Sequence, residues 1–176
     1  MVAFQYRMGA GFAGDVNRTH PASIEPNIND STYPIIYFGT CGIYTATGTF
    51  RVMQLGDTGT SSVSGVVVRQ FPIQQVTATE NWGEADFAQG FTSGNGPTPA
   101  NAMDVLKSGY IMAPVVGTPV KGGTVYVWCS ASSGVHTQGG FEATSAAGCI
   151  GLSADGQTYF NSGADSNGIA EIAFNL

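Results

Sequence analysis

The stretch that decides the fold is Ile169-Ala170-Glu171-Ile172-Ala173-Phe174-Asn175-Leu176. Successive side chains of an extended chain point to opposite sides, so Ala170, Ile172 and Phe174 share one face. Glu171 and Asn175 break the apolar pattern on the other. Working upstream, short runs rich in β-branched and aromatic residues recur between Gly, Pro, Asn and Asp turns, which is the strand signal. They cover 33–38, 43–47, 50–55, 62–69, 74–78, 109–116, 124–129 and 157–160. Val66-Val67-Val68 and Val125-Tyr126-Val127-Trp128 are apolar on both faces, which predicts central strands or strands covered by another subunit. This spacing predicts an all-β fold, an antiparallel β-sandwich or barrel of jelly-roll-like character.

Ahead of these runs, residues 1–31 show neither helical nor strand periodicity and are punctuated by Gly9, Gly11, Gly14, Pro21, Pro26, Asn27 and Asn29. They read as an extended N-terminal arm, or equally as a loop folded back over its own sheet. Residues 32–176 read as a single β domain, long enough to bury a real core. The one helical candidate is Pro99 to Lys107, with Thr98 as a cap and Gly109 as a stop; a plain turn is the alternative.

Charged residues make up 10% of the chain, against about 25% in an average soluble protein. A free monomer ordinarily stays soluble through surface charge, so this composition points to a surface partly covered by neighbouring subunits. A secreted Gly/Ser/Thr-rich β-protein is the other reading of the same composition. The net charge is −6, and the six bases, Arg7, Arg18, Arg51, Arg69, Lys107 and Lys121, form no patch. Direct contact with nucleic acid is therefore not expected, since phosphates need several cations on one face. No basic segment followed by an apolar one opens the chain, and no run reaches the ~20 apolar residues of a membrane helix. Cys41, Cys129 and Cys149 show no close pairing and read as buried free thiols of a chain made in a reducing cytoplasm, with a single disulfide as the alternative.

Candidate chemistry is sparse. His20 and His136 stand alone, and the cysteines form no CxxC, so no metal site is expected. Asp165-Ser166-Asn167-Gly168 lacks the first Asp and the closing Glu of a calcium loop, with Gly163 and Phe174 in their places. Ser153, His136 and Asp155 assemble a triad on paper, without a G-x-S-x-G elbow. Asp104 with Glu84 or Asp86 has nothing to fix a glycosidase spacing. The chain therefore reads as non-enzymatic and without a cofactor. Trp82 and Trp128 keep a sugar-stacking module open, although Trp128 lies in a strand that reads as core and Trp82 serves equally as an interface anchor.

The pieces Gly11-Phe12-Ala13-Gly14-Asp15-Val16-Asn17-Arg18, Gly65-Val66-Val67-Val68-Arg69-Gln70-Phe71-Pro72, Asp104-Val105-Leu106-Lys107-Ser108-Gly109-Tyr110-Ile111, Lys121 to Val127, Gly139 to Ala143 and Glu171 to Leu176 are familiar in this order. Through them the chain resembles the structural cement, or decoration, proteins of tailed bacteriophages, over nearly its whole length. Ala13 stands where Pro is expected. The resemblance implies a virion protein on the outer capsid surface, made in the bacterial host cytoplasm, that associates with itself as a dimer or trimer and bridges major capsid protein subunits. It implies no cofactor. The protein-interface residues then expected are Phe12, Asp15 and Arg18, with Trp82 as a further anchor. The competing expectation is a host- or carbohydrate-binding β-module on a virion surface.

Overall fold

The computed structural model describes residues 11–18, 20–57, 63–69, 96–152 and 157–175. Among them there is no helix, and ten strands run in the order β1 (Ser23–Ile28), β2 (Cys41–Tyr44), β3 (Phe50–Val52), β4 (Gly65–Val68), β5 (Ala102–Val116), β6 (Tyr126–Trp128), β7 (Phe141–Glu142), β8 (Cys149–Gly151), β9 (Tyr159–Phe160) and β10 (Ile169–Phe174). The all-β expectation holds.

The long strand β5 organises the rest. Its first half pairs with β4 on one edge and β1 on the other, so that Leu106 lies in register with both Val66 and Ile24. Its second half pairs with β10, from Gly109 opposite Phe174 to Pro114 opposite Ile169. Its last residues, Val115 and Val116, run parallel to Phe141 and Glu142 of β7. The full path is β3-β2-β4-β5-β7-β6-β8, with β1 and β10 on β5, and β9 on β10. The expected antiparallel pattern therefore carries one parallel ladder, and the strands do not close into a barrel.

Burial explains these choices. β4 is buried along its whole length, as its unbroken valines require. The main core gathers Leu106, Ile111, Val127, Phe141, Phe160, Ile172 and Phe174 around β5, and a second cluster gathers Ile35, Phe50, Val67, Met103 and Val105. That second cluster overrides the helix expected over 99–107. Met103 and Val105 alternate into it, and the hydrogen-bond partners of this stretch lie on β1 and β4, so it is strand from Ala102 onward.

Two further expectations change. Residues 33–38 are not a strand, because the side chain of Asn29 takes the partner's place. Its Oδ1 accepts the Ile35 amide at 2.9 Å, and its Nδ2 donates to the Ile35 carbonyl at 2.9 Å. Within 1–31, read as lacking strand periodicity, Ser23–Ile28 is a strand of the sheet, and Val16 bridges Ile111. β1 is an edge strand with exposed Ile24 and Ile28 and a proline at its centre, so no burial pattern marks it. The run at 74–78 lies outside the described residues.

Candidate functional site

The N-terminal segment from Gly11 onward meets the sheet on one edge of β5 and leaves on the other. Gly14 donates to Met112 O at 2.8 Å, Met112 donates to Asp15 O at 2.9 Å, and Arg69, just beyond β4, donates to Gly14 O at 2.8 Å. Gly14 has φ +84°, and a Cβ there would lie 2.8 Å from both Arg69 N and Phe38 Cβ, so only glycine fits. Past Val16 the chain crosses over β5 to become β1. The crossing point is Gly109, where a Cβ would come within 2.9 Å of Pro21 O and 3.2 Å of Ala22 Cα.

A single acid fastens this crossing. Glu171 projects from β10, only 8% exposed, and receives Arg18 at 3.2 Å (Nε to Oε1) and 2.9 Å (Nη2 to Oε2). The side-chain amides of Asn17 and Asn161 donate to the same carboxylate, and Ser162 Oγ accepts the Glu171 amide at 2.9 Å. Burial pushes this carboxyl up, and the hydrogen bonds from Asn161, Asn17 and Arg18, with the Arg18 charge, outweigh it. The group is thereby held below its ordinary value. The Arg18 guanidinium also sits 4.0 Å over the ring of Tyr110. Hydrogen bonding to Tyr110 and partial burial push the Tyr159 phenol up.

Phe12 and Asp15 lie together at the start of the segment, with Arg18 apart from them on Glu171. Asp15 accepts the Phe12 amide at 3.2 Å and faces Arg69 at 3.9 Å, while Arg69 covers one side of the Phe12 ring at 4.7 Å. The ring nevertheless remains 61% exposed. Asp15 and Arg18 thus both hold partners within the chain, and Phe12 is the outward-facing member of the set. Trp82 lies outside the described residues. Sequence reading missed Glu171 as the partner of Arg18; its one signal was an acid interrupting an apolar strand.

The remaining candidates fall elsewhere. Trp128 stacks on His136 at 4.4 Å between centroids and donates its indole N–H to Ala131 O at 3.1 Å. His136 Nδ1 lies 2.8 Å from the buried Glu142 carboxylate. Ser153, Asp155, Glu84 and Asp86 lie outside the described residues. Among the described residues no group of three or more His, Cys, Asp or Glu is placed to hold a metal ion. Cys41, Cys129 and Cys149 are free; Cys41 and Cys129 are buried and Cys149 half-buried.

Fold and surface together define an all-β protein with several large apolar side chains turned outward. The chain matches the family model described as XM1 gp53 minor capsid protein over residues 1–174, and it belongs to that family. A solved structure described as the capsid of Myoviridae phage XM1 contains a chain of the same fold, with TM-score 0.68, 16% identity, and coverage of 98% of this chain and 95% of that one. No curated protein matches. The protein is thus a virion structural protein of the bacteriophage capsid class.

Proposed function

We propose that the protein binds the outer surface of a bacteriophage capsid and bridges major capsid protein subunits, stabilising the shell through contact alone, without catalysis or a cofactor. The observation that carries this reading is the family match across 1–174. The surface supports it: Phe12, Leu55, Val120 and Val135 are each more than half exposed in a chain of which only 10% is charged. An interface of about 1,600 Å² with an apolar centre is the usual size for a specific contact. Contacts present only in the intact shell stabilise it by mass action. Copies associate with one another at these joints as a dimer or trimer, and Phe12 contributes to contact with other chains. Synthesis in the host cytoplasm agrees with three free thiols.

Sedimentation with expanded capsids that lack the protein tests the reading. Saturable co-sedimentation at fixed stoichiometry is expected, with the bound protein open to protease from outside and the shell more resistant to heat. Absence of binding, together with retention on glycan surfaces, would overturn it in favour of a host-binding module.

A further inference from the structure

We infer that residues 11–28 form a detachable strap that lifts off the sheet as one unit, turning about a hinge between Ile28 and Asn29 while β2–β10 stay folded. This is a property of the free chain and does not depend on the capsid-binding reading.

The strap supplies little to the core. Among the described residues the buried hydrophobic side chains begin at Ile35, and the strap adds the partly buried Val16 and Ala22 at their margin. Five of the six residues of β1 are exposed, so backbone pairing with β5, rather than burial, keeps it in the sheet. Few buried apolar contacts and solvent-exposed hydrogen bonds place a segment at the low end of local stability. The hinge is the opposite. Asn29 is 1% exposed; its amide donates to Asn101 O at 2.9 Å, its carbonyl accepts the Ala100 amide at 3.0 Å, and its side chain holds Ile35 and the Pro97 carbonyl. Asp30 follows, donating to Phe50 O at 2.9 Å and accepting the amides of Thr32 and Tyr33 at 2.8 Å. Within two residues the chain passes from a strand exposed on both faces to a fully bonded clamp.

The ties between strap and body explain why it moves as a unit. One limb, Gly14 to Val16, pairs with Ile111 and Met112, and the other, β1, pairs with residues 102–108 on the opposite edge of β5. Between the limbs sits the Glu171 contact, which draws both Asn17 and Arg18. Neither limb lifts clear while that contact is closed, and its loss loosens both. The two ion pairs between strap and body among the described residues, Arg18 with Glu171 at 2.9 Å and Arg69 with Asp15 at 3.9 Å, each need an ionised carboxylate. Glu171 meets Arg18 and Asn17 from the strap and Asn161 and Ser162 beyond β9, with Tyr159 of β9 nearby and Tyr110 of β5 under the Arg18 guanidinium. Arg18 is the one cation in this group, so protonation of Glu171 removes the charge attraction that closes the strap. Opening leaves β5 unpaired along 102–108 on one edge and at Ile111 and Met112 on the other.

Hydrogen exchange of the purified full chain, corrected for intrinsic rates, tests this. Amides of 11–28 are expected to exchange as one group, at least about tenfold faster than those of β2, β3 and β10. That group should open more readily as pH falls from about 6 to about 3, and Glu171→Gln should shrink the acid response. Pro26→Cys with Asp104→Cys sets two thiols opposite each other in the β1–β5 ladder, within reach of a disulfide. Oxidised, this staple should slow the group to the rate of the body; reduced, it should let the strap go again. Strap amides that exchange no faster than those of β10, one limb exchanging without the other, or an oxidised staple that changes nothing would each overturn the inference. If the double-cysteine variant does not fold, the grouping of rates in the unmodified chain decides alone.

Discussion

Arg18 and Glu171 are 153 residues apart in the chain, and a double-mutant cycle measures what their contact contributes to stability. A net hydrogen bond to a charged group is worth about 1.5–3 kcal/mol. The Arg18 side chain is 46% exposed, so solvent screening reduces the pair to roughly 1–1.5 kcal/mol. Its position 4.0 Å over Tyr110 adds about 0.5 kcal/mol. Arg18→Ala is therefore expected to destabilise by about 1.5–2 kcal/mol. Glu171→Gln should destabilise by about 2–3 kcal/mol, because an amide group then faces the amide donors of Asn17 and Asn161. The double variant should fall short of the sum by about 1–1.5 kcal/mol. Urea unfolding of the four proteins gives the energies, and limited proteolysis ahead of Ser23 should quicken in each variant. A coupling below about 0.3 kcal/mol would show that the pair does not fasten the crossing.

Acid should loosen the same point. Glu171 is held below its ordinary value, so its contribution is fully present above that ordinary value and is lost as pH falls through the lowered folded one. Glu171→Gln should flatten the acid limb of stability against pH, and an unchanged limb would count against the assignment. Burial holds the Cys41 thiol well above its ordinary value, and burial with Asp57 and Cys149 pushes Cys129 to about 11. At pH 8 a thiol reagent should label half-buried Cys149 first and all three only in denaturant; rapid labelling of Cys41 in the native protein would contradict the packing. Gly109→Ala should destabilise by roughly 2–4 kcal/mol, through φ +143° and the clash with Pro21. Gly122→Ala, with φ +78° but open space around it, should lose only about 1 kcal/mol; equal losses in thermal melts would refute the crossing at Gly109.

The sequence disclosed strands where burial dictated the pattern and concealed them where it did not. β10, Ile169–Phe174, falls within the stretch whose alternation marked it as a strand, and β4 is buried throughout its valines. β1 escaped because Ile24 and Ile28 face solvent, leaving no core-driven alternation to detect. The turn before β5 imitates a helix start, with Thr98 and Pro99 in capping order, yet pairing of Ala102–Ser108 with β1 and of Asp104–Leu106 with β4 outweighs that local signal. Residues 33–38 mimic a strand because Ile35 and Phe38 are core; their backbone partner is a side chain, which no periodicity records. Phe12 was named as an interface candidate from its motif, and the structure leaves its ring outward-facing.

Glu171 shows why a break in a pattern carries information. Alternation predicted one buried face for β10, but Glu171 and Ala173 on the second face are buried as well. An acid left there without partners would be unfavourable by several kcal/mol, so the fold must supply donors, and it draws two of them from the distant N-terminal segment. An apolar residue would have given similar stability. It would not have selected Asn17 and Arg18, nor aligned Gly109 beneath Pro21, because apolar packing tolerates sliding whereas a bidentate contact does not. The acid therefore sets where the segment crosses β5, while Phe12, ahead of the crossing, is held separately by Asp15 and Arg69.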